Sequence, residues 1–284
     1  MKIGVSGASG KLGKAVLEEL AARNSGHELF GISRTPDRVT PPAQGRYGNY
    51  DQPQTLASAY AGLDRLLIIP SADLRPGVRG PQFVAAIDAA RGCGIGHIVL
   101  MSGTGTSETA EPSLSAAYWT AEQYLMRTAP HWTILRMNHY ADSLAESVPP
   151  LLTAGVLPGL GESRVGFVAR QDVAGAAAGI LLGNEHAGAI YNATGPQAVS
   201  GAERAALIAQ VTGKPFHFVP ASEEQLRTGF TASGIPEMIA NALIDIERHF
   251  IDGRCNIVTG DVEKLAGRPA KPLRDVLTAI LSGG

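Results

Sequence analysis

The stretch VSGASGKLGKAVLEEL, Val5 to Leu20, limits this chain more than any other. An apolar run leads into three glycines spaced three apart, Gly7, Gly10 and Gly13, and a helix-like run follows. A glycine can turn a strand sharply into a helix, let a ligand approach the backbone, or let the helix pack tightly on the strand. Gly7, Gly10 and Gly13 stand in the order that does all three. The N-terminus of the helix then offers free N–H groups and partial positive charge to an anion. The spacing is GxxGxxG rather than GxGxxG, and a lone triad marks only a tight strand-to-helix turn. The strand before it and the helix after it turn the triad into a nucleotide-phosphate site.

The rest of the first half fits that reading. Short apolar runs at Lys2–Ser6, His27–Ser33, Arg46–Tyr50, Asp64–Pro70, His97–Ser102 and Trp132–Met137 alternate with helical patterns over 11–23, 52–61, 80–91 and 113–128. Runs such as LLII and IVLM are apolar at consecutive positions, as in a strand covered on both faces. This predicts an α/β fold, a Rossmann-type doubly wound parallel sheet with a smaller C-terminal substrate lobe. The expected division is a dinucleotide-binding domain over 1–145 and a mixed segment over 146–284. The Pro- and Gly-rich run 147–162 marks the transition. VGFVARQDVAGAAAGILL reads as a short strand, a cap at Asp172 and an Ala-rich helix. With the strand 188–195 it is expected to return to the main sheet. A helix over 200–213, a strand over 215–220 and one or two helices over 222–250 are expected in the lobe.

The second strand ends in GISRTPDR, with Ser33 and Arg34 where an NAD site places a carboxylate for the ribose hydroxyls. A guanidinium there binds a 2′-phosphate that a carboxylate would repel, so the expected cofactor is NADPH. Lys11 and Arg38 add positive charge nearby.

The chain has 284 residues and a formal net charge of −2, so no basic field points to nucleic acid or an anionic membrane. Two cysteines, Cys93 and Cys255, make neither a disulfide framework nor a metal cluster, and no metal site is expected. No secretory signal precedes KIGVSG and no run is long enough to span a bilayer, so the expected setting is cytoplasmic.

With these motifs placed, VSGASGKLGKAV, ISRTPDR, GNYDQPQTLASAYAGLDRLLII, VAAIDAARGCGIGHIVLMS and TILRMNHY resemble the atypical short-chain dehydrogenase/reductases of the NmrA-like group. Within that group the chain is similar to bacterial type-2 NADPH:quinone oxidoreductases and triphenylmethane reductases. The resemblance covers nearly the whole chain. It implies that Gly7, Ser9, Gly10, Lys11, Leu12 and Arg34 bind NADPH and that Pro70, Ser71 and Ala72 lie along it. In those reductases a histidine stands where this chain has Tyr118, and an Asn stands one residue before Asn138.

Ordinary short-chain dehydrogenases use Tyr-x-x-x-Lys, the lysine lowering the tyrosine pKa for proton exchange. Here Tyr118 is followed four residues on by Glu122, Tyr124 by Thr128 and Tyr140 by Leu144, and no lysine lies between Lys14 and Lys214. The candidate catalytic residues are Ser102 at the end of the fifth strand, placed to hydrogen-bond a substrate oxygen, Tyr118 near a helix start, placed to donate a proton or stack on an aromatic substrate, and His139 and Tyr140 after the sixth strand, the histidine with a pKa suited to proton exchange. Asn138 is a candidate for nicotinamide contact. The leading expectation is a reductase that passes hydride from NADPH to a flat conjugated carbonyl, a quinone or an aromatic ketone, whose reduced oxygen needs little acid help. The alternative is a non-catalytic NADP(H)-binding redox sensor that signals to a protein partner.

Overall fold

A computed structural model describes residues 1–23, 26–110 and 113–282. Seven parallel strands form one sheet: β1 (Lys2–Ser6), β2 (Glu28–Ser33), β3 (Gln44–Tyr47), β4 (Arg65–Ile68), β5 (His97–Gly103), β6 (Trp132–Met137) and β8 (Ala189–Ala193). Their order across the sheet is β3-β2-β1-β4-β5-β6-β8. The chain starts in the middle, winds outward to β3, then crosses back over β1 to build the other half. Where the winding reverses, between β1 and β4, the carboxyl ends of the strands open a crevice suited to a ligand.

Both faces of the sheet are covered, which is why its strands read as unbroken apolar runs. On one side α1 (Lys11–Ala22), α6 (Arg170–Leu182) and α10 (Asp261–Ala266) pack Leu12, Val16, Leu20, Val173, Ala177, Leu181 and Leu265 into one cluster with Ile3, Val5, Leu67 and Val99. On the other, α2 (Gln54–Tyr60), α3 (Arg79–Gly92) and α4 (Leu114–Thr128) pack Leu56, Tyr60, Phe83, Ile87 and Leu125 against Ile32, Leu66, Ile68 and Leu100. The alternation of Leu66, Leu67 and Ile68 between the two clusters is the period of two of a strand buried on both sides.

The remaining elements build a smaller unit around a third cluster with Leu157, Phe167, Ile208, Phe216, Phe250 and Leu277. It contains α5 (Ala141–Ser147), α7 (Gly201–Thr212) and α11 (Leu273–Leu281), and a two-stranded parallel ribbon of β7 (Val156–Gly159) and β9 (His217–Pro220). The helices α8 (Glu223–Ala232) and α9 (Glu237–Ile251) pack on each other and carry Phe250 into the cluster.

The structure corrects three local expectations. Strand β3 runs Gln44–Tyr47 and stops before Tyr50, because Asn49 Oδ1 accepts from the Asp51 N–H at 3.0 Å and turns the chain. The VGFV run is not a strand; its residues make single bridges, Tyr140 with Val168 and Val165 with Val199. Asp172 does not cap α6, whose N-cap is Ala169. Its buried carboxylate accepts instead from the Lys271 N–H at 2.7 Å, holding the C-terminal segment to the helix.

Candidate active site

The β1–α1 loop is shaped by steric necessity. Gly7 has φ +91°, a left-handed conformation that favours glycine, and a Cβ on it would stand 3.1 Å from Ile69 Cβ. A Cβ on Gly13 would stand 2.4 Å from Gly7 O and 2.7 Å from Ala8 Cα, both backbone atoms. Gly10 differs. It is the N-cap of α1 with φ −76° and ψ 163°, open to any residue, and its Cβ would meet only Gly7 O, at 3.3 Å. Neither backbone conformation nor packing within the protein demands glycine there. What the missing side chain preserves is open space in front of the first turn of α1. That turn has no side-chain cap and no acidic residue, so its N–H groups are free for an anion.

A cleft of about 620 Å³ opens in front of this loop. Gly7, Ser9, Gly10, Lys11, Leu12 and Gly13 line it from β1–α1, Ser33 and Arg34 from the end of β2, and Pro70, Ser71 and Ala72 from the loop after β4. Tyr118 of α4 and Tyr140, the residue before α5, complete the wall. The buried Ser33 hydroxyl accepts from the Thr35 N–H at 3.0 Å, fixing the turn that carries Arg34. Arg34 is exposed and has no hydrogen bond or ion pair with any described residue. The Lys11 ammonium is held by Glu146, at 2.8 Å from each carboxylate oxygen. A dinucleotide phosphate fits this donor set: free helix N–H groups behind a glycine with no packing duty, and an unpaired guanidinium at the end of β2.

Several lining residues carry no sequence signal that would single them out. Asn49, Tyr50 and Asp51 follow β3, and Arg79 and Gln82 come from α3. Gln82 Nε2 donates to Asp51 Oδ1 at 2.8 Å, and the Ser71 hydroxyl donates to Gln82 Oε1. The Tyr50 hydroxyl donates to Ser6 Oγ at 2.8 Å, and Ser6 Oγ lies 3.0 Å from the Tyr60 hydroxyl. These bonds fix the floor of the cleft. They tie residues far apart in sequence, so no local motif announces them.

Three expected site residues stand outside the cleft lining. Ser102 is fully buried and donates to Glu122 Oε1 at 2.5 Å. The same carboxylate receives Arg136 in a two-point pair, Nε to Oε1 at 2.9 Å and Nη2 to Oε2 at 2.6 Å. Glu122 thus stands four residues after Tyr118, where a lysine would complete the usual pair, and it serves a buried ion pair. Asn138 is 3% exposed; its Nδ2 donates to Cys255 O at 3.0 Å and its Oδ1 accepts from the His139 N–H at 2.8 Å. It ties the end of β6 to the lobe. His139 lies edge-on to Phe167 and Phe250, with ring centroids 5.6 and 5.1 Å away. Burial, reinforced by Arg204, pushes its pKa down to about 4, so it is neutral near pH 7 and poorly suited to donate a proton.

Tyr118 and Tyr140 do face the cleft. The Tyr118 hydroxyl makes no hydrogen bond with a described residue, and that of Tyr140 has only the weak acceptor Met137 Sδ, at 2.8 Å. Burial raises both pKa values above the ordinary tyrosine range. They stay protonated and can donate hydrogen bonds to a bound oxygen.

A family model described as NAD(P)H-binding matches residues 7–183. The chain belongs to this NAD(P)H-binding family. The match spans the glycine loop, the Arg34 turn, Tyr118 and Tyr140. Over 276 residues, 95% of each chain, the protein is 29% identical to (4-alkanoyl-5-oxo-2,5-dihydrofuran-3-yl)methyl phosphate reductase of Streptomyces griseus. It matches the triphenylmethane reductase of Citrobacter sp. with TM-score 0.90 and 26% identity, covering 99% of this chain and 100% of that one. The NADPH-dependent quinone oxidoreductase of Escherichia coli, solved with NADPH, matches with TM-score 0.89 and 26% identity over 98% of this chain and 99% of that one. The two reductase types that the sequence resembles are therefore among its structural neighbours.

Proposed function

We propose that the protein is an NADPH-dependent reductase that transfers a hydride to a flat conjugated carbonyl, a quinone or an aromatic or polyketide-like ketone. The observation that carries this is the cleft itself, where the open space at Gly10–Leu12 and the unpaired Arg34 share one lining with Tyr118 and Tyr140. When bound, NADPH supplies the hydride. The chain's own residues do the rest. Lys11 and Leu12 offer free N–H groups to the pyrophosphate across the open space at Gly10, whose own N–H donates to Gly7 O at 3.1 Å, and Arg34 offers its guanidinium to the 2′-phosphate. Pro70, Ser71 and Ala72 form the wall along the cofactor.

Tyr118 and Tyr140 orient the carbonyl oxygen. With both pKa values raised and no lysine beside them, they stabilise developing negative charge by hydrogen bonding rather than by giving up a proton. A quinone suits such a site because its reduced oxygen is a delocalised phenolate that takes its proton from water. The named substrates of the relatives are furanone phosphates, quinones and triphenylmethane dyes, each a conjugated system. We place the protein in the cytoplasm, in keeping with two unpaired cysteines and the absence of any membrane-crossing helix among the described residues.

The test is NADPH consumption, followed at 340 nm, against 1,4-naphthoquinone, an azo dye and an acyl-butenolide methyl phosphate. Turnover with at least one is expected. Tight NADPH binding with no consumption on any of the three would favour the redox-sensor alternative.

A further inference from the structure

Arg79 is the first residue of α3 and is only 9% exposed. Its guanidinium makes no hydrogen bond and no ion pair with any described residue, and its Nε is enclosed without an acceptor. The nearest ring it faces is Tyr118, whose centroid lies 5.8 Å from Cζ. A guanidinium keeps its proton at any physiological pH, and an unpaired buried charge is strongly unfavourable.

The position of Arg79 shows where a counter-charge would come from. Arg79 lines the cofactor cleft and also a second pocket of about 560 Å³ between α3, α4 and the α8–α9 pair. That pocket holds three other arginines, and each is already engaged. Arg75 Nη2 lies 2.5 Å from Asp73 Oδ2, Arg227 Nη1 lies 2.5 Å from Asn241 Oδ1, and Arg248 Nη2 lies 2.6 Å from Glu223 Oε2. Asp73, the carboxylate with which Arg79 interacts electrostatically, is held by three nitrogens of Arg75, its backbone N–H, Nε and Nη2. Leu74, Pro76, Met238 and Ile244 give the same pocket apolar walls.

We propose that Arg79 recognises an oxyanion substituent of the substrate, a phosphate monoester or a carboxylate, while the apolar walls of the neighbouring pocket take the substrate's hydrocarbon body. This inference rests on the reductase reading above and narrows it to conjugated carbonyls that carry negative charge. The substrate, rather than the cofactor, is the source of that charge. The cofactor's phosphate groups have their donors at the ends of β1 and β2, whereas Arg79 follows β4 and stands against Tyr118 of α4. Two guanidinium N–H groups can engage one such oxyanion at two points, which gives orientation as well as affinity.

The experiment compares kcat/KM for two matched pairs at saturating NADPH: an acyl-butenolide methyl phosphate with its alcohol, and a carboxyalkyl naphthoquinone with its methyl ester. In the parent enzyme the charged member of at least one pair is expected to be preferred by about ten-fold or more, and the preference should shrink as ionic strength rises. Whichever pair shows it identifies phosphate or carboxylate as the partner. In Arg79→Gln the charged-to-neutral ratio should fall toward parity, by about ten-fold or more, and Arg79→Lys should recover part of it. A ratio that stays within about three-fold of the parent's would overturn the inference, whether both rates fall together or neither does. So would a weakened NADPH Kd with the ratio preserved, which would give Arg79 to the cofactor. If Arg79→Gln does not fold, the parent ratio and its salt dependence still decide, and a parent enzyme without preference refutes the proposal. Reduction of the neutral esters alone would uphold the reductase reading while sinking this one, and no reduction of any member would sink both.

Discussion

Two glycines three residues apart should respond to substitution in opposite ways. Gly10→Val places a Cβ 3.3 Å from Gly7 O, a contact that a few tenths of an ångström relieve, on a backbone at φ −76° and ψ 163° that valine adopts freely. The weaker N-cap costs up to about 1 kcal/mol, and the stiffer unfolded chain returns about 0.4–1 kcal/mol. Net stability should change by less than about 1 kcal/mol, a Tm shift of no more than about 4 °C. NADPH affinity should fall by at least about ten- to a hundred-fold, roughly 1.4–2.8 kcal/mol, because the branched side chain fills the space in front of the free N–H groups of α1. Gly13→Ala forces a Cβ to 2.4 Å from Gly7 O and 2.7 Å from Ala8 Cα, neither of which can swing aside. It should cost about 1–3 kcal/mol of stability or more. Thermal unfolding by circular dichroism and NADPH titration by fluorescence separate the two effects. A folded Gly10→Val protein with the parent's NADPH Kd would rule out phosphate binding at this turn, because the phosphates would then have to lie elsewhere.

Arg34→Asp should weaken NADPH by about ten- to a hundred-fold and NADH far less, the loss of roughly 1.5–3 kcal/mol from a charge-assisted contact; equal NADPH affinity in mutant and parent would remove the 2′-phosphate assignment. Ser102→Ala should lower stability by about 1.5–3 kcal/mol, as its bond to a buried carboxylate is lost, yet change kcat by less than about ten-fold. A fall of about a thousand-fold with unchanged Tm would mark Ser102 as a catalytic residue after all. His97 and His139 both have pKa values pushed down to about 4 by burial, below the unfolded value of about 6.5. The unfolded chain therefore binds more protons between these values, and stability, full above about pH 6.5, should decline as pH falls toward 4. His139→Phe should flatten part of that decline in urea unfolding across this range, and an unaltered slope would contradict the assignment.

The parallel sheet was legible because its strands are buried on both sides and announce themselves as apolar runs. Trp132–Met137 ends where the sequence places it, and Lys11–Ala22 falls one residue short of the expected helix. The glycine loop and the Arg34 turn were legible because each is local, with motif and context within about thirty residues of each other. What stayed hidden is non-local. Ser102 reads as a cleft residue from its place at a strand end. Its direction is set by Glu122 and Arg136, which a sequence does not show converging. His139 follows a strand in the ligand-facing register, but Phe167 and Phe250 arrive from 28 and 111 residues later to enclose it. Arg79 looks like any arginine at a helix start. Only the packing of α3, α4 and α9 reveals that it is buried with no hydrogen bond or ion pair to a described residue.

In a reductase of this kind hydride passes from NADPH in the cleft to a carbon of a conjugated carbonyl. Mass spectrometry of product formed with NADPH deuterated at one or the other C4 position tests it most directly, using an acyl-butenolide methyl phosphate so that the new C–H bond does not exchange with water. One deuterium is expected at a ring or acyl carbon from one of the two labelled cofactors and none from the other, as a fixed cofactor orientation requires. Stoichiometric NADPH binding with no deuterium transferred from either isotopomer, to this compound or to any other conjugated carbonyl offered, would contradict it.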